Sequence, residues 1–502
     1  MTTDSEPALN FVSTALDLYG GPYSTVYRPP TGLASAIALK ASGHNALVLE
    51  KEAKLGGTVL AWLRLCVSRS FMVRVPPNGF KILSDWGLEA EIRANTAVGA
   101  GFAVYKYNGG KAPDRDFIGI NRWDPELLSD ARGDCVHFWH QDLLRILYIE
   151  AIRPSDSAGN TVSRVTVLFG AEVVNVDGDS CAVTLRSGEI HIGDGIIGAD
   201  GATGVVRRTL LEEEDVDPET CDVPTGMGLY GAVIPKALAV QDPDLACFYE
   251  YPESTLSMGS NRGPTQGTEG DIALWLYTPD SRQDGNWTED AEVKLTDVIG
   301  SCDASIKKLA AFAGPATCIQ IQDRYELESW VSESGRVLVL GEAAHPFPTF
   351  SKPASFHAYS ISLEDGVFIG KIFSHTRDPN RIPEFLYAFE EHRHVSLHMH
   401  LDPTSHDVLG RRARCSHIRE AEKQYIGVIT LPDGEIQEER DASMRANQAA
   451  GRNVMEAGEN DLQQMLDEMR MVFGYDPADD ADEWWMSWGR FRGLSEKDSA
   501  NR

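Results

Sequence analysis

The sequence has little that would tie it to a membrane, a nucleic acid or an oxidising compartment. No apolar run reaches the roughly 18 residues a transmembrane helix needs; the nearest, Thr58 to Val67, is interrupted by Arg64. Lys and Arg number 46 against 75 Asp and Glu, a net charge of -29. Without a polybasic run, so acidic a chain lacks the face that a nucleic acid or an anionic lipid surface requires. The eight cysteines (66, 135, 181, 221, 247, 302, 318 and 415) form no C-x-x-C pair. This argues against a disulfide framework or a zinc site and suits a reducing compartment. The first twenty residues carry Asp4, Glu6 and Asp17 and no basic-then-apolar pattern, so no signal peptide is visible and a cytoplasmic location is expected.

What is present suits a globular protein. Hydrophobic residues at 42% and charged at 24% are ordinary for a soluble chain, and 502 residues allow two or three domains. The rest is organised around Tyr27 to Glu50, YRPPTGLASAIALKASGHNALVLE. Its second half reads as part of a βαβ unit. A helix starts near Gly32 with Leu33, Ile37 and Leu39 on apolar positions, stops at Gly43, and leads to a short buried strand ending in Glu50. Glu50 lies 18 residues beyond Gly32, close to the roughly 20 at which a carboxylate meets a ribose hydroxyl. The first half does not fit. With Gly32 as the third glycine of G-x-G-x-x-G, Tyr27 and Pro29 stand where the first two belong. A proline there has no N–H and puts a ring where a phosphate would approach bare backbone.

Taken in order, residues 1–20 read as a loose N-terminal arm. Pro76-Pro77-Asn78-Gly79 precedes an amphipathic helix with Phe80, Leu83 and Trp86 facing inward, and a strand CVHFW runs into a helix HQDLLRILYIEA. Four short strands between residues 162 and 192 lead to a buried strand, an Asp200-Gly201 turn and a helix. Residues 216–334 change period. Ala273, Trp275 and Tyr277 share one face and Ile272, Leu274 and Leu276 the other, with Cys247, Tyr249 and Tyr251 spaced similarly, as in an antiparallel sheet with an aromatic face. The chain then returns to a buried strand, RVLVLGEAAHPFP, and is mostly helical from residue 383.

These pieces, with Pro77-Asn78, IIGADGATGVVRR, Leu363-Glu364-Asp365-Gly366 and the tail LPDGEIQEERDASMRA followed by MVFGYDP, resemble the FAD-dependent aromatic hydroxylases. The salicylate-hydroxylase-like monooxygenases of fungal secondary metabolism are the nearest group. The resemblance implies an α/β (α+β) fold with three parts. A Rossmann-like FAD/NAD(P)-binding domain comprises residues 21–215 and 335–400, an inserted, mostly antiparallel substrate domain residues 216–334, and a helical C-terminal region residues 401–502. If FAD is retained, Gly32, Glu50, His140, Asp200 and Glu342 would contact it, with NAD(P)H as reductant. The departures from the family pattern fall on those contacts. Tyr27 and Pro29 replace two glycines, His140 stands where the family has a nucleotide-contacting arginine, and Glu342 replaces the aspartate of G-D-A-A-H. The loop that follows, SKPASFHAYS, has no glycine.

Four departures at one ligand favour a retained cavity with no cofactor, and three readings of function follow. In the first, the chain is a flavin-independent cyclase of the intramolecular [4+2] Diels–Alder type acting on a terpenoid or polyene. It would hold a small apolar substrate in a reactive fold and polarise a carbonyl with a hydrogen-bond donor. His345, His357 and Tyr359 are the candidate donors, and Tyr249, Trp275, Tyr277 and Phe347 the walls. In the second, it is a working FAD- and NAD(P)H-dependent monooxygenase that hydroxylates or epoxidises a secondary metabolite. In the third, it is a non-catalytic relative that binds a ligand or partner. A misread exon boundary is a further account of YRPPTG and SKPASFHAYS. No metal site is expected, because His392, His394, His398 and His400 lack an H-E-x-x-H pattern. Trp484, Trp485 and Trp488 read as a face that docks the tail onto the body.

Overall fold

The computed structural model describes residues 8–15, 30–55, 72–111, 114–154, 163–249, 254–259, 265–266, 271–279, 293–314, 316–346, 357–391, 411–456 and 467–491. Its centre is a five-stranded sheet of β1 (Asn10–Ala15), β2 (Asn45–Glu50), β8 (Val165–Phe169), β12 (Gly195–Ala199) and β18 (Val337–Val339). The order is β18-β12-β1-β2-β8, with every pair parallel. The middle strand corrects the sequence reading, in which residues 1–20 were a loose arm. With polar Ser13 and Thr14, NFVSTA shows no apolar run, yet a strand on either side satisfies its backbone and both residues are buried. Strands β12 and β18 pair in parallel although residues 200–336 separate them in the sequence.

Helix α1 (Thr31–Ala41) links β1 to β2 and ends at Ser42, after which Gly43 takes the left-handed φ of +85° that stops the helix. Lys40, in its last turn, donates to the Glu150, Ala151 and Arg153 carbonyls at 2.6, 3.0 and 3.0 Å. It thereby satisfies the C-terminal end of α3 (His140–Ile152). Helix α2 (Pro77–Asp85) begins within the Pro-Pro-Asn-Gly stretch, because proline suits a first helical turn. Helix α4 (Val205–Glu213) follows β12, and α5 (Ala358–Phe373) lies across α1. Gly366 and Gly370 make that crossing close: added Cβ atoms would lie 2.7 Å from the Ala34 carbonyl carbon and 2.4 Å from the Ala38 Cβ.

Small antiparallel sheets surround this core. One holds β9 (Val173–Asp177), β10 (Ala182–Leu185) and β11 (Ile190–Ile192), and another β3 (Met72–Val75), β4 (Thr96–Val98) and β7 (Val136–Trp139). A four-stranded sheet runs in the order β15-β16-β13-β17, all antiparallel. Its strands are β13 (Val223–Ile234), β15 (Thr265–Gln266), β16 (Ile272–Pro279) and β17 (Thr317–Asp323). The alternation in β16 is as the sequence indicates. Ala273, Trp275 and Tyr277 pack on one side, and Ile272, Leu274 and Leu276 on the other. Tyr249 does not continue the pattern. It ends a 3-10 helix, Pro243–Tyr249, on the side of Leu274 and Leu276. A further sheet pairs β5 (Gly101–Lys111) antiparallel with β6 (Asp114–Arg122) and parallel with β14 (Ser254–Met258), so two strands of the N-terminal half join one from the inserted stretch.

The C-terminal part comprises α6 (Ile382–Glu391), α7 (Arg411–Ile429), α8 (Glu435–Ala449) and α9 (Pro477–Trp484). Trp484 is buried against Phe385 and Trp485 stacks on His375 at 4.7 Å, whereas Trp488 is exposed. The histidines at 392, 394, 398 and 400 lie outside the described residues. Among the described residues there is no cluster of three or more metal-ligating side chains and no helix long and apolar enough to cross a membrane.

Candidate active site

In an open parallel sheet the connections leave a crevice at the carboxyl ends of the strands, where neighbouring strands run off to opposite sides. Here that point is the end of β1, between β2 and β12. The N-terminus of α1, with Gly32 in its first turn, opens onto it. Among the described residues no side chain caps this helix, and its first turn carries no acid, so its N–H groups and positive end favour an anion. Glu50, buried at the end of β2, accepts a hydrogen bond from the Glu52 N–H at 2.8 Å. At the end of β18, Gly341 has a φ of +58°, and an added Cβ would lie 2.3 Å from Thr31 Oγ1. Only glycine lets this turn lie against the start of α1. Glu342, next in the chain, is buried. Asp200 accepts from the Val206 N–H at 2.8 Å, so its carboxylate serves the first turn of α4.

Two site residues far apart in sequence meet directly. The Tyr359 hydroxyl lies 3.0 Å from His140 Nδ1, and both side chains are buried. Burial, and secondarily the charge of Glu342, pushes the Tyr359 phenol well above its ordinary pKa. The other two candidate donors are engaged elsewhere. His345 is buried, with Nε2 2.7 Å from Asp365 Oδ2, and that carboxylate also accepts from the Gly341 N–H at 2.8 Å. Burial alone would lower the imidazole's pKa, but Cys415 and Asp365 together raise it to about 10. His345 therefore acts as an internal tie. The His357 ring lies 6.0 Å from Phe473, and the residue's backbone N–H donates to Glu422 at 3.1 Å, which places it against the C-terminal helices. Burial, with the Arg414 cation nearby, lowers its pKa to about 3 and keeps it neutral.

The aromatic face of β16 covers this end of the molecule. Trp275 and Tyr277 pack with Leu229, Ile321, Met72 and Trp139. Trp139 immediately precedes His140, so the apolar wall runs into the polar pair. Neither Met72 nor Trp139 stood out in the sequence. Their signal was the alternation in MVRV and VHFW, which places each at the end of a short paired strand. The structure thus gathers Gly32, Glu50, Glu342, His140 and Tyr359 at one end of the sheet, with Trp275 and Tyr277 on the covering side. His345 is tied through Asp365 to the Gly341 turn beside them, His357 faces Phe473, Tyr249 packs on the other face of β16, and Phe347 lies outside the described residues.

No family model matches the chain. It is similar to the FAD-dependent monooxygenase OpS4 of Beauveria bassiana, 24% identical over 428 residues that cover 83% of this chain and 87% of that protein. The FAD-dependent monooxygenase atnJ of Arthrinium sp is 23% identical, covering 84% and 88%. The hispidin-3-hydroxylase of Neonothopanus nambi is 25% identical, covering 72% and 82%. Among solved structures, CtdE in complex with FAD and substrate superposes with a TM-score of 0.66 at 13% identity, covering 97% of this chain and 100% of that one. Klebsiella pneumoniae HpxO complexed with FAD and uric acid gives 0.62 at 18%, covering 94% and 99%. A salicylate hydroxylase substrate complex gives 0.63 at 14%, covering 95% and 98%. The chain has the fold of the FAD-dependent aromatic hydroxylases, and its sequence resembles the fungal FAD-dependent monooxygenases.

These comparisons correct the expectation that the cavity works without a cofactor. Two of these relatives are named for FAD, and two of these structural neighbours hold it. The inference of loss rested on Tyr27 and Pro29, on His140 and Glu342, and on the loop SKPASFHAYS; Tyr27, Pro29 and the first six residues of that loop lie outside the described residues, whereas His140 and Glu342 are buried. Among the described residues, the groups at the crevice suit a flavin dinucleotide. An uncapped helix N-terminus can take a diphosphate, and the buried Glu50 and Glu342 carboxylates can accept from sugar or ribityl hydroxyls.

Proposed function

We propose that this chain is an FAD- and NAD(P)H-dependent monooxygenase that oxygenates a small, apolar secondary metabolite. One observation carries the reading: an anion-favouring helix N-terminus and a buried acid at the end of β2 flank the switch point, as a dinucleotide requires. Its relatives' names and near-full-length coverage support it. When bound, FAD supplies the electron transfer and oxygen chemistry that side chains cannot. The start of α1 holds the diphosphate, and Glu50 orients the nucleotide by accepting from a ribose hydroxyl. Trp139, Trp275 and Tyr277 exclude water and present a flat apolar wall to the substrate. The cyclase reading depended on an empty coenzyme site and gives way to this one.

The test begins with the full-length protein saturated with FAD. We expect one flavin per chain and NADPH oxidation that rises when an apolar aromatic or polyene substrate is added. A protein that takes up no flavin at micromolar FAD would overturn the reading.

A further inference from the structure

Strand β6 stands last in the order β14-β5-β6, and its ladder with β5 leaves alternate backbone groups pointing away from the sheet. At Ile120 and Arg122 a short segment of the C-terminal region meets these groups in turn. The Ile120 N–H donates to Gln448 Oε1 at 2.7 Å, and the Ile120 carbonyl accepts from the Val454 N–H at 3.2 Å. The Arg122 N–H donates to Asn453 Oδ1 at 2.7 Å, and its carbonyl accepts from Asn453 Nδ2 at 3.1 Å. The Asn453 amide thus does for Arg122 what the backbone of a neighbouring strand would do. Gly119 makes the approach possible, since an added Cβ would lie 2.4 Å from Val454 Cγ1 and 2.6 Å from Gln448 Oε1. The segment is also held in shape by its own contacts. Asn447, buried near the end of α8, donates to the Val454 carbonyl at 3.2 Å and accepts from Arg452 at 2.7 Å. The Asn453 N–H donates to Glu456 at 3.1 Å, and Val454 is buried with Val104 of β5 and Ile118 of β6.

We propose that residues 448–454 are an intramolecular guard on β6: they occupy the edge at which this chain would otherwise pair, strand to strand, with a second copy of itself. The register favours that occupant. Antiparallel pairing about Asn121 sets Ile120 of one copy against Arg122 of the other, with no like charges directly opposed. The backbone groups that would be exchanged are those that Gln448, Asn453 and Val454 hold, so the guard and the second copy exclude each other. Covering an edge in this way is how a sheet protein avoids self-association. Nothing in the guard depends on a bound flavin.

Hydrogen exchange and sedimentation velocity on the full-length protein test this. In Gln448→Ala/Asn453→Ala, peptides containing Ile120 and Arg122 should exchange about tenfold faster than in wild type, the worth of one well-made hydrogen bond. As its concentration rises, the same variant should pass from the wild-type mass to twice that mass. Adding Arg122→Pro deletes an outward N–H and leaves the bonds to β5 in place, so it should restore the wild-type mass. Melting temperatures check that each variant is folded. Asn453→Asp, which keeps the acceptor and loses the donor, gives the same comparison if the double variant does not fold. Wild-type exchange in the folded variant would overturn the proposal. So would faster exchange with the wild-type mass at every concentration, or association that Arg122→Pro leaves unchanged.

Discussion

Three buried histidines show how far residue type alone falls short of residue role. His44 donates through Nε2 to the Phe373 carbonyl at 2.8 Å and accepts from the Leu9 N–H at 3.3 Å. Burial lowers its pKa to about 4, and His357 is lowered to about 3, both from 6.5. His345 moves the other way, to about 10, because Cys415 and Asp365 outweigh its burial. For the lowered pair, the unfolded chain binds more protons below pH 6.5, so acid removes stability as pH falls toward 4 and below. For His345, the stabilising contribution is complete below pH 6.5 and is lost as pH rises toward 10. The urea midpoint should therefore fall on both sides of neutrality. His357→Gln should flatten the acid limb and His345→Asn the alkaline limb. Equal wild-type midpoints at pH 5, 7 and 9 would sink this account. In the sequence the three were indistinguishable, and two of them served as candidate donors. Only their surroundings, drawn from α5, α7 and β1, separate a structural tie from a site residue.

At the scale of elements, the site depends on where α1 points, and α1 is held by α5. Gly366 and Gly370 allow the two helices to cross with backbone near backbone. The neighbouring acids then divide their tasks, with Asp365 turned to Gly341 and His345, and Glu364 to Asn78 and Arg414. The Leu-Glu-Asp-Gly motif is thus a junction between elements. Gly370→Val should force the helices apart, destabilising the protein by about 1–3 kcal/mol as overpacking does. It should also weaken FAD binding, because the start of α1 shifts. A melting temperature and an FAD titration check both, and unchanged values for the two would show that the crossing tolerates a side chain. The motif itself was legible, as were α1, its stop at Gly43, and the two faces of β16, all local patterns of period and turn residue. β1 was not, because a strand paired on both sides needs no apolar alternation. Tyr249 was misplaced for the converse reason: a spacing of two residues also fits a short 3-10 helix.

At the scale of the molecule, the C-terminal region is fastened through charges it buries. Arg414 donates to Glu364 at 2.8 and 3.1 Å and to the Val472 carbonyl at 2.8 Å, and lies 4.1 Å over the Tyr475 ring. Asn78 donates to the same glutamate at 2.6 Å, and Lys81 pairs with Asp476 at 2.5 Å. Both Arg414 and Glu364 are almost fully buried, so removing one partner strands the other without solvent. Arg414→Met should cost about 3–5 kcal/mol, whereas the Glu364→Gln/Arg414→Met double variant should recover part of that loss. Limited proteolysis would then release the C-terminal region faster in the single variant than in wild type or the double. Equal cleavage in all three would mean that other contacts hold the C-terminal region. Neither charge signals its partner, because 50 positions separate them and each occurs in an ordinary helical pattern.

By itself, the sequence determined what short-range chemistry controls: helix periods, the glycine stops, the alternation of β16, the acid at the end of β2, and the family pattern these make together. Tertiary structure alone decided which buried polar groups meet. It brought His140 to Tyr359, turned His345 inward to Asp365 and His357 toward α7, and made Asn10–Ala15 the middle of the sheet. The physical reason is that a buried hydrogen bond or ion pair depends on partners brought together by chain crossings, and no local period records a crossing.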